Sequence, residues 1–276
     1  MLRFQALGNW PQPAIATAWT PSTRRTDPTV ESAINSAWSI AAARLGTRLF
    51  DGPMCRLESW HATPHQLHLQ LSPTSYKPFL GTNMANPHFA SQFGPEVMAN
   101  PLGVSSILLT ADNWLLLGRR NQSVAYYPGR IHTFAGCLEP ADNDNADSTA
   151  CNAAPNVFSA ARRELAEELG LTPADTADMH CVGLAQDQLL LQSELLFFVR
   201  LPLPRARVER QLDAEEHHSM FAVSAIAAQV EHIVAARGAL PNQPVLTPIA
   251  VAALLLWGRR MLGQEWFSRV AAPVIV

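Results

Sequence analysis

The chain has 276 residues, 48% of them hydrophobic and 16% charged, with a formal net charge of −3. That length and composition suit one large or two small globular domains with a sizeable core, and exclude a disordered chain. The charge balance gives no electrostatic case for a nucleic-acid partner.

The cysteines Cys55, Cys137, Cys151 and Cys181 form no CxxC pair and do not read as a zinc site. Reduced thiols in a cytoplasmic protein are the expectation. The first residues lack a continuous apolar run, so no secretory signal is expected. The longest apolar stretch, Ile249 to Trp257, is too short to span a bilayer and reads as a buried helix, so no membrane partner is expected.

Residues 1 to about 27 are rich in Pro and Thr and read as an extended arm. Thr26 or Asp27 can cap a helix opened by Pro28 or Thr29, in which Ile34, Trp38, Ala41 and Leu45 recur at helical spacing and Gly46 is the stop. Strands are predicted near residues 54–59 and 66–71, the second alternating as QLHLQL. SYKPFLGTN, residues 75–83, reads as a turn-rich piece, and residues 87–99 as a modest helix broken at Asn100-Pro101.

Beyond Pro101, VSSILLT and WLLLGRR flank a turn at Ala111-Asp112-Asn113 and read as a β-hairpin. A short strand follows at 131–136, a polar loop at 140–156, a helix at 157–169, strands in VGLAQDQLL, ELLFFVRLPL and MFAV, and helices at 223–236 and 247–262. The alternation suits a mixed sheet with helices on both faces, preceded by a smaller α+β region. The expected division is 1–101 and 102–276.

The helix at 157–169 carries Glu164, Glu167 and Glu168 at i, i+3 and i+4, hence on one face. Crowded carboxylates stay ionised together only if a cation or an arginine offsets them. Arg163 lies four residues before Glu167 and can pair with it. Val157, Ala161, Leu165 and Leu169 form an inward face, and Gly170 is a natural left-handed stop. An ordinary solvated helix could carry the same charges.

The surrounding sequence decides between these readings. RELAEELGL, residues 163–171, resembles the second half of the Nudix box, G-x5-E-x7-R-E-U-x-E-E-x-G-U with U aliphatic. Arg163, Glu164, Leu165, Glu167, Glu168, Gly170 and Leu171 fill its fixed positions. AGCLEPAD, residues 135–142, resembles the first half, with Gly136 as the box glycine, Ala135 in place of the preceding glycine and Asp142 where a glutamate belongs. Twenty residues, 143–162, separate Asp142 from Arg163 where the pattern has seven, an insertion of thirteen read as a surface loop.

The resemblance implies a Nudix-type α/β/α sandwich and hydrolysis of a nucleoside diphosphate linked to another group. It implies Mg²⁺, with Mn²⁺ as the alternative, held by Glu164, Glu167 and Glu168 together with substrate phosphate. Arg163 would orient Glu164 or Glu167. The general base stays open between Glu168 and a carboxylate from elsewhere, of which Glu194 is the best candidate. SPTSYKPFLGTN, residues 72–83, the 100–120 and 127–140 segments, HHSMFAV and the 247–257 helix resemble the UDP-glucose/UDP-galactose pyrophosphatase branch.

That branch implies cleavage of a UDP-hexose to UMP and hexose 1-phosphate. Tyr76, Phe79 and Tyr127 are then candidates to stack on base or sugar, and Asn83 to hydrogen-bond. Lys77, Arg119, Arg120 and Arg130 are candidates for phosphate. Arg119 and Arg120 point to opposite sides of a strand, so one of them at most enters the site, and Arg130 is the first choice. Glu215-Glu216-His217-His218 reads as mostly surface. Coenzyme A, ADP-ribose and NADH are the competing substrates, and a non-catalytic nucleotide-binding module is the competing class. A monomer or homodimer is expected.

Overall fold

The computed structural model describes residues 2–142 and 154–275. The first part holds β1 (Leu2–Trp10), β2 (Ile15–Trp19), α1 (Pro28–Leu45), β3 (Pro53–Ala62), β4 (Leu67–Ser75), α2 (Tyr76–Phe79) and α3 (Phe89–Phe93). Next come β5 (Leu102–Leu109), β6 (Trp114–Arg120), β7 (Ile131–His132), β8 (Phe134–Cys137) and α4 (Val157–Leu169). The rest is β9 (Asp178–Asp187), β10 (Gln192–Arg200), α5 (Arg205–Glu209), β11 (His217–Ser224), α6 (Ala227–Ala235), α7 (Pro248–Leu262) and α8 (Gln264–Ala271).

An eight-stranded mixed sheet runs β1-β9-β10-β5-β6-β11, with β7 added to β6 and β8 to β5; a three-stranded sheet runs β2-β4-β3. Period-two alternation divides each central strand between two cores. On β10, Leu195, Phe197 and Val199 join the core containing α4, while Leu196 and Phe198 join the core containing α6, α7 and α8. Helix α7 is buried from Ile249 through Gly258, as an apolar surface around the whole helix requires. Among the described residues no helix is long and apolar enough to cross a membrane.

Local signals set several boundaries. Asp27 Oδ1 accepts the backbone N–H groups of Thr29 and Val30 at 2.9 and 3.3 Å, Pro28 opens α1, and Gly46 ends it at φ 57°. Asn156 caps α4, and Gly170 closes it in the left-handed region at φ 60°.

Three expectations change. Residues 2–19 are not an arm: β1 pairs antiparallel with β9, and β2 pairs in parallel with β4. The reason is tertiary, since β9 offers an edge on which Leu2, Ala6 and Trp10 become buried. Residues 76–84 are helical, an α-turn followed by a π-helical turn. Pro78 is tolerated because it stands in the first turn, and Gly81 lets the turn meet α1, where a Cβ would lie 2.5 Å from Ile34 Cα. The helix expected at 87–99 is cut at Gly94 (φ 95°) into α3 and a 3₁₀ turn at Pro95–Val97. Most of the loop expected at 140–156 lies outside the described residues.

The proposed division at residue 101 falls just before β5, yet β1 belongs to the large sheet. Trp10 and the β4 residues Leu67, Leu69 and Leu71 also share one core with α4 and β10. Trp10 is fully buried and donates its indole N–H to the Thr63 carbonyl at 3.0 Å. Trp10→Ala should therefore destabilise the whole protein by about 3–5 kcal/mol in urea unfolding. An unchanged midpoint would show that β1 stands outside the cooperative unit.

Candidate active site

The site grows from a hairpin that splays. Strands β5 and β6 pair only beside their turn, at Leu108–Leu116 and Leu109–Leu115. Farther along, β8 takes over the β5 edge and β7 the β6 edge. Residues 121–137 thus enter the gap, and α4 packs across β8. The result is a cleft of about 370 Å³ lined from both sides.

On the α4 side, Arg163 gathers five acceptor atoms. Its Nε and Nη2 donate to the two Asp142 oxygens at 2.8 and 3.1 Å. Its Nη1 donates to Glu164 at 2.8 Å and Glu167 at 3.3 Å, and Nη2 also donates to the Cys137 carbonyl at 3.2 Å. Asp142, the candidate for the displaced box acid, is therefore back on the box arginine. Asn156 N–H donates to Asp142 O at 2.5 Å, so the backbone closes across the insertion and leaves α4 in register. A long loop costs little when its ends already meet.

Glu164 presses against Gly136, where a Cβ would lie 1.9 Å from Glu164 Oε1. A side chain at that position would push the Glu164 carboxylate out of place. Burial pushes the Glu164 carboxyl up to about 7, with Arg163 opposing and Glu167 adding to the rise. Glu168 is 2% exposed and accepts the Ala135 N–H at 3.1 Å. Burial, then Glu216 and Glu164, hold it well above the usual carboxylate range. Its other oxygen lies 3.0 Å from His217 Nε2. Burial and then Arg120 lower His217 to about 4, so its ring is neutral at pH 7. Glu167 is exposed.

On the opposite side, Glu194 is buried on β10. It accepts the Tyr126 hydroxyl at 2.9 Å and a short hydrogen bond from Ser105. Thr133 donates to Ser105, and His132, fully enclosed, bonds Thr247 at 2.7 Å. Burial raises Glu194 to about 7; the Ser105 and Tyr126 hydrogen bonds offset it only in part. Burial, then Arg120, hold His132 well below its usual value.

The cleft wall brings together Tyr76, Phe79, Gly136, Arg163, Glu164, Glu167 and Glu194, all singled out from sequence. Glu168 lies behind the wall. Five candidates are placed elsewhere. Arg120, not Arg119, reaches the cleft; its Nε donates to the Tyr126 carbonyl at 2.8 Å and its guanidinium lies 5.8 Å from the Tyr126 ring centroid. Arg119 Nε is buried without a partner. Arg130 stacks on Tyr127 at 5.0 Å and lines a separate surface hollow. Tyr127 gives its hydroxyl to Asp187 at 2.5 Å. Lys77 is anchored through its backbone N–H to Asp51 at 2.7 Å and is not on the cleft wall. Asn83 is buried and donates to the Leu190 carbonyl at 3.0 Å.

Sequence reasoning missed Tyr126, His132, Gln192 and Glu216, which line the cleft, and His217 behind it. The reading of 215–218 as surface holds for Glu215, Glu216 and His218 by exposure, but His217 is 1% exposed. Strand alternation would have pointed to His218 in its place: Met220 and Ala222 face the α4 core, and an irregularity in the pairing between His217 and Ser219 turns His217 to that side. Among the described residues, Glu168, Glu216 and His217 are the acidic and histidine group whose ligand atoms come within 4.8 Å of one another. Carboxylate oxygens gathered beside Glu164 form a hard donor set, whose proton affinities are raised first by burial and then by neighbouring glutamates. Such a set fits a divalent cation.

No protein-family model matches the chain. A uridine diphosphate glucose pyrophosphatase of Bos taurus is 30% identical over 226 residues, covering 74% of this chain and 77% of its own. The chain belongs to the Nudix hydrolase family, in the branch of that pyrophosphatase. The Mus musculus pyrophosphatase of the same name is 27% identical and spans 100% of this chain and 97% of its own. Nudix hydrolase 9 of Arabidopsis thaliana is 22% identical across 64% of the chain and 65% of its own. The likeness to the mouse protein therefore takes in the residues before the box, including Tyr76 and Phe79.

Glu194 yields a stability prediction for this Nudix protein. Its folded proton affinity is raised, so its contribution is full below about pH 4.5 and is lost as pH rises through about 7. In metal-free buffer, the unfolding free energy of wild type relative to Glu194→Gln should fall by roughly 3 kcal/mol between pH 4.5 and 8. A flat difference across that range would remove the claim.

Proposed function

We propose that the protein hydrolyses the pyrophosphate bond of a UDP-hexose, UDP-glucose or UDP-galactose, to UMP and hexose 1-phosphate. Mg²⁺ is the cation, with Mn²⁺ as the alternative, and Glu164, Glu167 and Glu168 hold it; Glu216 is near enough to Glu168 to contribute. The observation that carries the reading is the meeting of Arg120 with the box carboxylates Glu164 and Glu167 in one cleft. Among the described residues no carboxylate forms an ion pair with Arg120, so its charge is available to the diphosphate. The named activity of the relatives supplies the substrate class.

Each residue then has a task. Arg163 holds Glu164 and Glu167 in place and does not touch substrate. When bound, the cation withdraws charge from phosphorus and lowers the pKa of the attacking water. Glu194 takes the proton of that water: it lies on the cleft wall, and a proton affinity near 7 suits a base at neutral pH. Glu168 lies behind the wall, which fits a ligand better than a base. The new bond joins the water oxygen to phosphorus, and the bridging oxygen leaves with the other phosphate. Tyr76 and Phe79 form the wall against which base or sugar rests. Free thiols at Cys55, Cys137 and Cys181 suit a cytoplasmic setting.

Incubation with UDP-glucose and Mg²⁺, beside ADP-ribose, NADH and coenzyme A, should yield UMP and glucose 1-phosphate from UDP-glucose. Turnover of another substrate alone would move the substrate class, and silence on all four would point to a binding module. Glu168→Gln should lower turnover by at least about 100-fold and weaken Mg²⁺ binding, with melting little changed. Glu194→Gln should lower kcat with Mg²⁺ affinity retained. Loss of Mg²⁺ affinity in Glu194→Gln, or retained turnover in Glu168→Gln, would reverse these assignments.

A further inference from the structure

Gln192 is a neutral polar group on the cleft wall that the chemistry above leaves unused. Gln192 opens β10, two residues before Glu194 and so on the same strand face. It is 4% exposed, lines the cleft, and its Oε1 is buried without a hydrogen-bond partner. Its neighbours are committed. Glu194 is taken by Ser105 and Tyr126, the Tyr126 hydroxyl is given to Glu194, and His132 Nδ1 is bonded to Thr247. A buried amide oxygen left unpaired is destabilising until a donor reaches it.

The strand start is also held still. Asn83 donates to the Leu190 carbonyl at 3.0 Å, and Gln186 Nε2 donates to the Leu191 carbonyl at 3.2 Å. Leu191 itself sits in the left-handed region at φ 54°. Asn83, a candidate substrate ligand on sequence grounds, thus fixes the turn from which Gln192 projects.

A hexose presents several hydroxyls and needs several free partners. The neutral part of the wall offers one open amide in the same cleft as Met54, Tyr76 and Phe79. An apolar and aromatic wall with a single amide matches a flat heterocycle with an imide edge. We propose that Gln192 reads the uracil ring, its Oε1 accepting the N3–H while its amide nitrogen donates to an adjacent ring carbonyl. This inference rests on the UDP-hexose reading and names the residue that selects the base.

The test compares UDP-glucose with its N3-methyl-uracil analogue, which lacks the donor, in wild type, Gln192→Ala and Gln192→Leu. Wild type should favour UDP-glucose in kcat/KM by ~10- to 100-fold. In both variants that preference should shrink to about threefold or less, through a higher KM for UDP-glucose with kcat nearly kept. The UDP-glucose to UDP-galactose ratio should stay put, and UMP should bind the variants more weakly in calorimetry. Gln192→Leu retains volume, so it keeps the comparison usable if the alanine variant folds poorly. Undiminished discrimination against the methylated base, or a changed glucose to galactose ratio in its place, would overturn the assignment while leaving the activity intact. Wild type inert toward UDP-glucose would overturn the activity and this inference together.

Discussion

The Arg163 guanidinium is the constraint on which the site depends. It bonds Asp142 through two nitrogens, the Cys137 carbonyl at the end of β8, and the Glu164 and Glu167 carboxylates of its own helix. A planar fork of five donors can serve all of these at once; a lysine ammonium could not. One side chain therefore ties the end of the β8 strand, the turn after it and the carboxylate helix into a single rigid unit. Burial of Glu164 against Gly136 is tolerable only because this cation lies next to it.

The rest of the cleft is arranged around that unit by topology. The β5–β6 hairpin must splay for β7 and β8 to enter, and the same splay leaves room for Tyr126, Arg120 and His132 opposite the carboxylates. The first hundred residues are not an appendage to this arrangement. They extend the large sheet through β1, share a core through Trp10 and β4, and supply Tyr76 and Phe79 to the wall. Through Asn83 they also clamp the turn before Gln192.

Buried polar chemistry is divided into two groups that do not compete. On the α4 side, Glu168 is held between the Ala135 N–H and a neutral His217. On the β10 side, Glu194 is held by Ser105 and Tyr126. Both carboxyls are raised by burial, but in different surroundings: Glu168 by neighbouring glutamates as well, Glu194 against hydrogen bonds that favour its charged form. Two carboxylates so separated can take different roles, one toward a cation and one toward a proton.

Much of this was legible from residues alone, because it depends on local periodicity. The i, i+3, i+4 placement of Glu164, Glu167 and Glu168, the left-handed stop at Gly170, the cap at Asp27 and the alternation of β10 all follow from neighbours within a few positions. Glu194, far along the chain, was reached by its chemistry and the family resemblance. What local sequence could not determine was which of two adjacent side chains faces the cleft, and which distant segments meet there. Arg120 rather than Arg119 enters because of the strand's register against β11 and β7. The strands at residues 2–19 form because another segment offers them an edge, a long-range pairing with no local signature. Asn83, Arg130 and Tyr127 have the right functional groups for a ligand, yet each is directed elsewhere by a partner such as Leu190 or Asp187, or by another of their own number, and Lys77 stands off the cleft wall. The sequence by itself determined the chemistry available; the tertiary structure decided which of it converges, because burial and register are properties of segments brought together from across the chain.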